Sequence, residues 1–137
     1  MTPLPTALRM TEVSGAEAVW LLEGSSLGRL AYVRRQQADV RPARHVWEYG
    51  HLVVRASVPA AAVSAGATYQ VDEVCVASGT GWTVTAAGPV DVIADPDEAA
   101  HYHRTLPGLV HGPHDTLIRI RPQSVTGFRI TRDGESR

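Results

Sequence analysis

The chain has 137 residues, 44% of them hydrophobic, which sustains one hydrophobic core and is too little for two domains of ordinary size. Thirteen basic against fourteen acidic residues leave a formal charge of −1, so no global positive field draws the chain to nucleic acid or to an anionic membrane. No stretch approaches the ~18 consecutive apolar residues of a transmembrane helix. The opening MTPLPTALRM lacks the apolar core of a signal peptide, and a single cysteine, Cys75, excludes an internal disulfide. The expectation is a soluble, cytoplasmic protein.

In chain order, Ser14 with Glu17 three residues later reads as a capping box, and Ala16, Val19 and Trp20 recur at helical spacing as far as Gly24. From Ser26 the period changes to two. Leu27, Arg29, Ala31 and Val33 then fall on one side of a strand, and Gly28, Leu30 and Tyr32 on the other. The polar residues Arg34 to Asp39 read as a turn. Val40 to Trp47 and His51 to Ala56 read as two further strands joined at Glu48-Tyr49-Gly50, completing a meander. Ser57-Val58-Pro59 and the alanines up to Gly66 predict a short helix with a side-chain cap, an early proline and a terminal glycine.

Thr68 to Val76 and Gly81 to Ile93, rich in β-branched residues, predict a long hairpin about the turn Ala77-Ser78-Gly79-Thr80. Asp95-Pro96-Asp97-Glu98 opens a third helix that runs to about Arg104. Thr116 to Arg121 and Val125 to Thr131, separated by Pro122-Gln123-Ser124, close the sheet. Many short strands with three peripheral helices predict a mainly β fold, an antiparallel barrel whose closure removes sheet edges. Pattern alone leaves sandwiches and other small barrels open.

Several segments, in order, resemble the pyridoxamine 5′-phosphate oxidase-like family, particularly its small actinobacterial members. They are Gly28-Arg29-Leu30-Ala31-Tyr32-Val33, Arg41-Pro42-Ala43-Arg44-His45-Val46, His51-Leu52-Val53-Val54-Arg55-Ala56-Ser57, Val71-Asp72-Glu73-Val74 leading to Thr80-Gly81-Trp82-Thr83-Val84, and Leu117-Ile118-Arg119-Ile120-Arg121-Pro122 before Val125-Thr126-Gly127. The resemblance implies a single split-barrel domain over residues 1–137, with its core at about 16–131. It also implies a homodimer that holds flavin mononucleotide (FMN), or in some relatives a deazaflavin, in a groove shared by two subunits. Relatives oxidise pyridoxamine phosphate, reduce small electrophiles or bind haem, so the fold constrains activity loosely.

A flavin phosphate needs cationic forks and backbone donors, which the run from Arg55 through Ser57 into a helix start could supply. The plainer reading has Ser57 as a helix cap and Arg55 as a solvated strand residue. Flavin-binding relatives commonly follow this strand with a glycine turn and a phosphate-reaching lysine. This sequence has Pro59-Ala60-Ala61-Ala62 there and contains no lysine at all. Arg41 or Arg44 on the neighbouring strand is then the substitute, because arginine grips phosphate bidentately.

By the same resemblance, the strand carrying Arg41, Pro42 and Arg44 runs along the isoalloxazine ring, and His45 borders the substrate side; a half-exposed structural histidine is the alternative. Trp82 resembles a cofactor-wall residue, with barrel packing as its other reading.

His101 and His103 are two apart on a helix and face different ways, and His111 and His114 lack the cysteine or carboxylate partners of a closed zinc site, so no metal is expected. No residue is singled out as a catalytic acid or base. The sequence thus reads as an FMN-dependent oxidoreductase of a small molecule. Its rivals are a non-catalytic binding or accessory protein with a lapsed cofactor site, a deazaflavin-binding relative, and a haem-binding relative resting on His45, His111 or His114.

Overall fold

The computed structural model describes residues 7–109 and 112–133. The strands are β1 (Leu8–Glu12), β2 (Leu27–Arg34), β3 (Gln37–Glu48), β4 (His51–Ala56), β5 (Ala67–Val74), β6 (Gly81–Gly88), β7 (Val90–Val92), β8 (Thr116–Ile120) and β9 (Ser124–Arg132). The helices are α1 (Gly15–Glu23), α2 (Ala60–Val63) and α3 (Pro96–Thr105). All strand pairs are antiparallel, in the order β1-β9-β6-β5-β2-β3-β4-β8-β7.

The chain closes this sheet by bending one strand. β6 pairs with β5 and β9, whereas its continuation β7, across Gly88-Pro89, pairs with β8. The sequence predicted one unbroken strand from Gly81 to Ile93. Proline at 89 removes a ladder donor, and at Gly88 a Cβ would overlap the carbonyl of Arg121, so the chain turns where only glycine fits. Hydrogen bonds from Arg121 N–H to Pro89 O (3.0 Å) and from Gln123 N–H to Ala87 O (2.9 Å) tie the β8–β9 turn to this bend.

Alternation along the strands sorts the two faces. Leu52 and Val54 of β4, Leu30 of β2, Tyr69 and Val71 of β5, Val84 of β6, and Ile118 and Ile120 of β8 fill the interior, over which α1 lays Ala18, Leu21 and Leu22. On the outer face of β4 and β8, Val53 and Leu117 meet Ile93, Tyr102 and Leu106, so α3 covers a second, smaller cluster. Arg119 on that face pairs with Glu98 of α3 at 2.5 Å, and the Tyr102 hydroxyl donates to Glu48 at 2.9 Å.

Helix ends follow the predicted caps in part. Ser14 Oγ accepts from Glu17 N–H (3.1 Å), while the Glu17 carboxylate turns away to Arg129 (2.5 Å), so the box is half closed. Asp95 accepts from Glu98 N–H at 2.9 Å. Ser57 is not a cap: α2 is a single turn entered through Pro59 without a side-chain bond, because Ser57 lies before the extended Val58-Pro59 step. β3 begins at Gln37, since Arg35 and Gln36 alone make the turn with φ of 52° and 65°. β1 escaped prediction altogether. Among the described residues, no helix is long and apolar enough to cross a membrane.

Candidate functional site

The side of the barrel built by β2, β3 and the β4–α2 junction carries most of the residues nominated from sequence. In the β3–β4 register Arg44 stands opposite Arg55, and in the β2–β3 register Pro42 stands opposite Arg29. Two arginines thus stand side by side on adjacent strands, and like charges so paired gain from negative charge beside them.

Asp115 supplies that charge to Arg55. Its carboxylate takes a bidentate grip, with Nε to Oδ1 at 2.9 Å and Nη2 to Oδ2 at 2.8 Å, while Nη1 donates to the Leu106 carbonyl at 2.8 Å. This hydrogen bonding to Asp115 raises the Arg55 pKa above its ordinary value. His103 Nε2 lies 3.6 Å from the same carboxylate. The neighbouring Ser57 is also engaged. Its Oγ accepts from the His114 N–H at 3.4 Å, and Gly112 packs so closely over it that a Cβ there would overlap the hydroxyl. Residues 112–115 therefore lie as a strap over Arg55 and Ser57. Arg44 lacks such a partner: its Nε is buried and makes no hydrogen bond among the described residues.

Beside the strap opens a cleft of about 380 Å³, lined among others by Tyr32, Arg34, Arg41, Pro42, Ser57 and His114. A narrow recess sharing Pro42, Ser57 and His114 leads from it to Arg55 and Asp115. Tyr32, 3% exposed, lines the cleft, and its hydroxyl is buried with no hydrogen-bond partner among the described residues. An unmet polar group of this kind costs about 1–3 kcal/mol.

Arg41, Pro42 and Ser57 therefore converge on one cleft, and Arg55 closes the adjoining recess. His45 does not join them. It shares the inward face of β3 with Ala43, is 2% exposed, and lies inside the barrel. Its Nε2 is 3.1 Å from the Leu22 carbonyl, which can only accept, so that nitrogen carries the proton and Nδ1 accepts from the Tyr69 hydroxyl at 2.7 Å. Burial lowers the His45 pKa and raises that of Tyr69. The expectation that His45 borders a substrate is thus corrected by burial: His45 shares a face of β3 with Arg41 but lies deeper, in the packed interior, while Arg41 nearer the hairpin end reaches the cleft.

Trp82 also lies elsewhere. It packs against the core and lines a separate groove of about 460 Å³ with Trp20, Glu23 and Glu73. Of the histidines considered for haem or metal, His114 borders the arginine cleft and His111 lies outside the described residues. Among the described residues no group of three or more His, Cys, Asp or Glu side chains is placed to hold a metal ion. The cleft residues that sequence reading missed are Tyr32, Arg34 and, for this role, His114. Tyr32 and Arg34 share one parity on β2, and extending the alternation past Val33 would have put Arg34 above Tyr32 instead of in a turn.

Residues 14–129 match the profile of the pyridoxamine 5′-phosphate oxidase family. The chain belongs to that family. The uncharacterized protein Rv0080 of Mycobacterium tuberculosis is 30% identical over 143 residues, spanning 96% of this chain and 92% of that one. Among solved structures, the FAD binding protein of Mycobacterium smegmatis superposes with a TM-score of 0.64 at 25% identity, over 89% of this chain and 98% of that one. A FAD-binding protein of Mesorhizobium loti superposes at 0.67 with 20% identity, over 91% and 99% of the two chains. This member of the pyridoxamine 5′-phosphate oxidase family contains no lysine, and a carboxylate is already seated on its Arg55.

Proposed function

We propose that this chain is a flavin-binding oxidoreductase acting on a small molecule, with FMN its preferred flavin, and that two copies complete each site. The observation that carries the reading is the convergence of Arg41, Pro42 and Ser57 on one cleft of about 380 Å³, within the size range of small-molecule sites. Membership of the family and the likeness to flavin-binding proteins support it. The residues present suit a flavin: guanidinium groups for its phosphate, the outer edge of β3 at Pro42 and Arg44 for its ring, and an aromatic groove with Trp82 that a second copy would bring to the other side. A bound flavin supplies hydride or electron transfer at its own ring, and the protein's part is to bind and orient it.

One observation favours a second reading, a binding or accessory protein with a lapsed cofactor site: all three guanidinium nitrogens of Arg55 already have acceptors within the chain. The test is to record the absorption spectrum of the purified protein and titrate it with FMN, FAD and a deazaflavin by fluorescence quenching. Micromolar or tighter FMN binding is expected. A colourless protein that binds none of the three moves the function to the accessory role, and a strong visible haem band moves it to haem binding.

A further inference from the structure

We infer that a phosphate monoester is held in the cleft by Arg34 and Arg41, with the Tyr32 hydroxyl as the third donor, and not by Arg55. Where that phosphate is the flavin's own, the inference rests on the flavin reading above. It also stands without it, for a phosphorylated substrate.

Arg55 is satisfied where it is. A ligand oxyanion there would have to displace a bidentate carboxylate and a carbonyl together. The two cleft arginines are in the opposite condition. Arg34 makes no hydrogen bond or ion pair among the described residues, and Arg41 donates only to the carbonyl of its neighbour Val40, at 2.9 Å. Both line the same cleft, and no carboxylate lines it among the described residues. Asp39, opposite Tyr32 in the β2–β3 register, stays outside the lining and makes no hydrogen bond to the tyrosine.

The register explains why these groups assemble. Leu30 pairs with Arg41, and Tyr32 lies two residues on from Leu30 with Arg34 two beyond, so Arg41, Tyr32 and Arg34 project from one face of the β2–β3 pair. Toward the hairpin end that face runs past the packed interior, and its side chains change from core residues to cations.

The independent sign of a ligand is Tyr32. Its side chain is almost wholly buried at the cleft, and its hydroxyl meets no acceptor or donor among the described residues, although buried polar groups are otherwise nearly always paired. Two guanidinium groups with no anionic partner among the described residues, beside one unpaired phenol, match an acceptor with several oxygens and a double negative charge, which is a phosphate monoester.

The experiment compares FMN with riboflavin, which differ only in the phosphate, on wild-type protein and on Arg34→Gln, Arg41→Gln and Tyr32→Phe. Inorganic phosphate is followed in parallel by the broadening of its ³¹P resonance. Both arginines are exposed, so far-UV circular dichroism should certify an unchanged fold, and Tyr32→Phe removes a single oxygen. The wild-type chain should prefer FMN over riboflavin by about tenfold or more. Each arginine variant should bring the two affinities close to parity while leaving riboflavin binding alone, and Tyr32→Phe should reduce the preference several-fold. Retention of the full preference in both arginine variants, or its loss only in Arg55→Gln, overturns the inference. If no flavin binds, the flavin reading fails by itself; phosphate broadening that disappears in Arg34→Gln and Arg41→Gln still upholds the site, and absence of broadening in the wild type overturns it.

Discussion

A histidine sealed inside a barrel makes the fold answer to pH. Burial holds His45 neutral and outweighs the hydrogen bonds at Leu22 and Ser25, which favour the charged ring, so its folded pKa lies below the 6.5 of the unfolded chain. Between the two values the unfolded chain binds more protons than the folded one, and stability therefore rises with pH across that window. The contribution is complete above about pH 6.5 and is lost as the pH falls toward the folded value. Urea midpoints measured from pH 7.5 down to 5 should fall in the wild type, and the slope should flatten in His45→Gln. An identical slope in the variant would assign the dependence to surface groups. The same residue shows a limit of sequence reading. Its type was legible, but its side of the strand was not, because alternation along β3 becomes clear only once Ala43 and Trp47 are known to share its face.

At the scale of elements, the bend between β6 and β7 makes a barrel of a curled sheet. Gly88→Ala places a methyl group against the Arg121 carbonyl, where backbone on both sides leaves little room to give. The expected loss is about 1–3 kcal/mol, read as a lower midpoint of thermal or urea unfolding. Wild-type stability in this variant would mean that the β8–β9 turn yields freely. Most strands were legible because one face of each is buried, which imprints period two on β2, β5 and β6, while β4, buried on both faces, reads as a continuous apolar run. β1 was not: all five of its residues are exposed, so no apolar alternation marks it, and only its pairing with β9 makes it a strand. The alanine run gave a helix of the right place and wrong extent, since Pro59 opens α2 but Ser64 closes it after a single turn.

At the scale of the whole molecule, the outer face of the β2–β3 hairpin carries exposed apolar side chains beside Arg29 and Arg44. Leu27 and Val40 are each 48% exposed and Val33 is 69% exposed, with Ala31 and Ala38 between them in the register. Such side chains on a surface favour association, which accords with the proposed homodimer. Light scattering behind size exclusion should give the mass of two chains, and Val33→Glu with Val40→Glu should give one. A monomeric wild type would remove the second copy from the site. The candidate site was legible as a list of residue types and only partly as a place. Arg41, Pro42 and Ser57 did converge, while the engagement of Arg55 could not be foreseen, because its partner Asp115 is sixty positions away along the chain.

That partner changes what Arg55 can do for any ligand. A carboxylate attached to the same chain competes with incoming anions as if dissolved at about millimolar concentration or above, whatever the dilution of the protein. A weak monovalent anion cannot win that contest, whereas a ligand anchored elsewhere in the cleft competes on equal terms, since it too has become local. The Arg55–Asp115 pair is therefore a threshold and not a lure: an anion reaches Arg55 only by displacing a carboxylate that is always at hand.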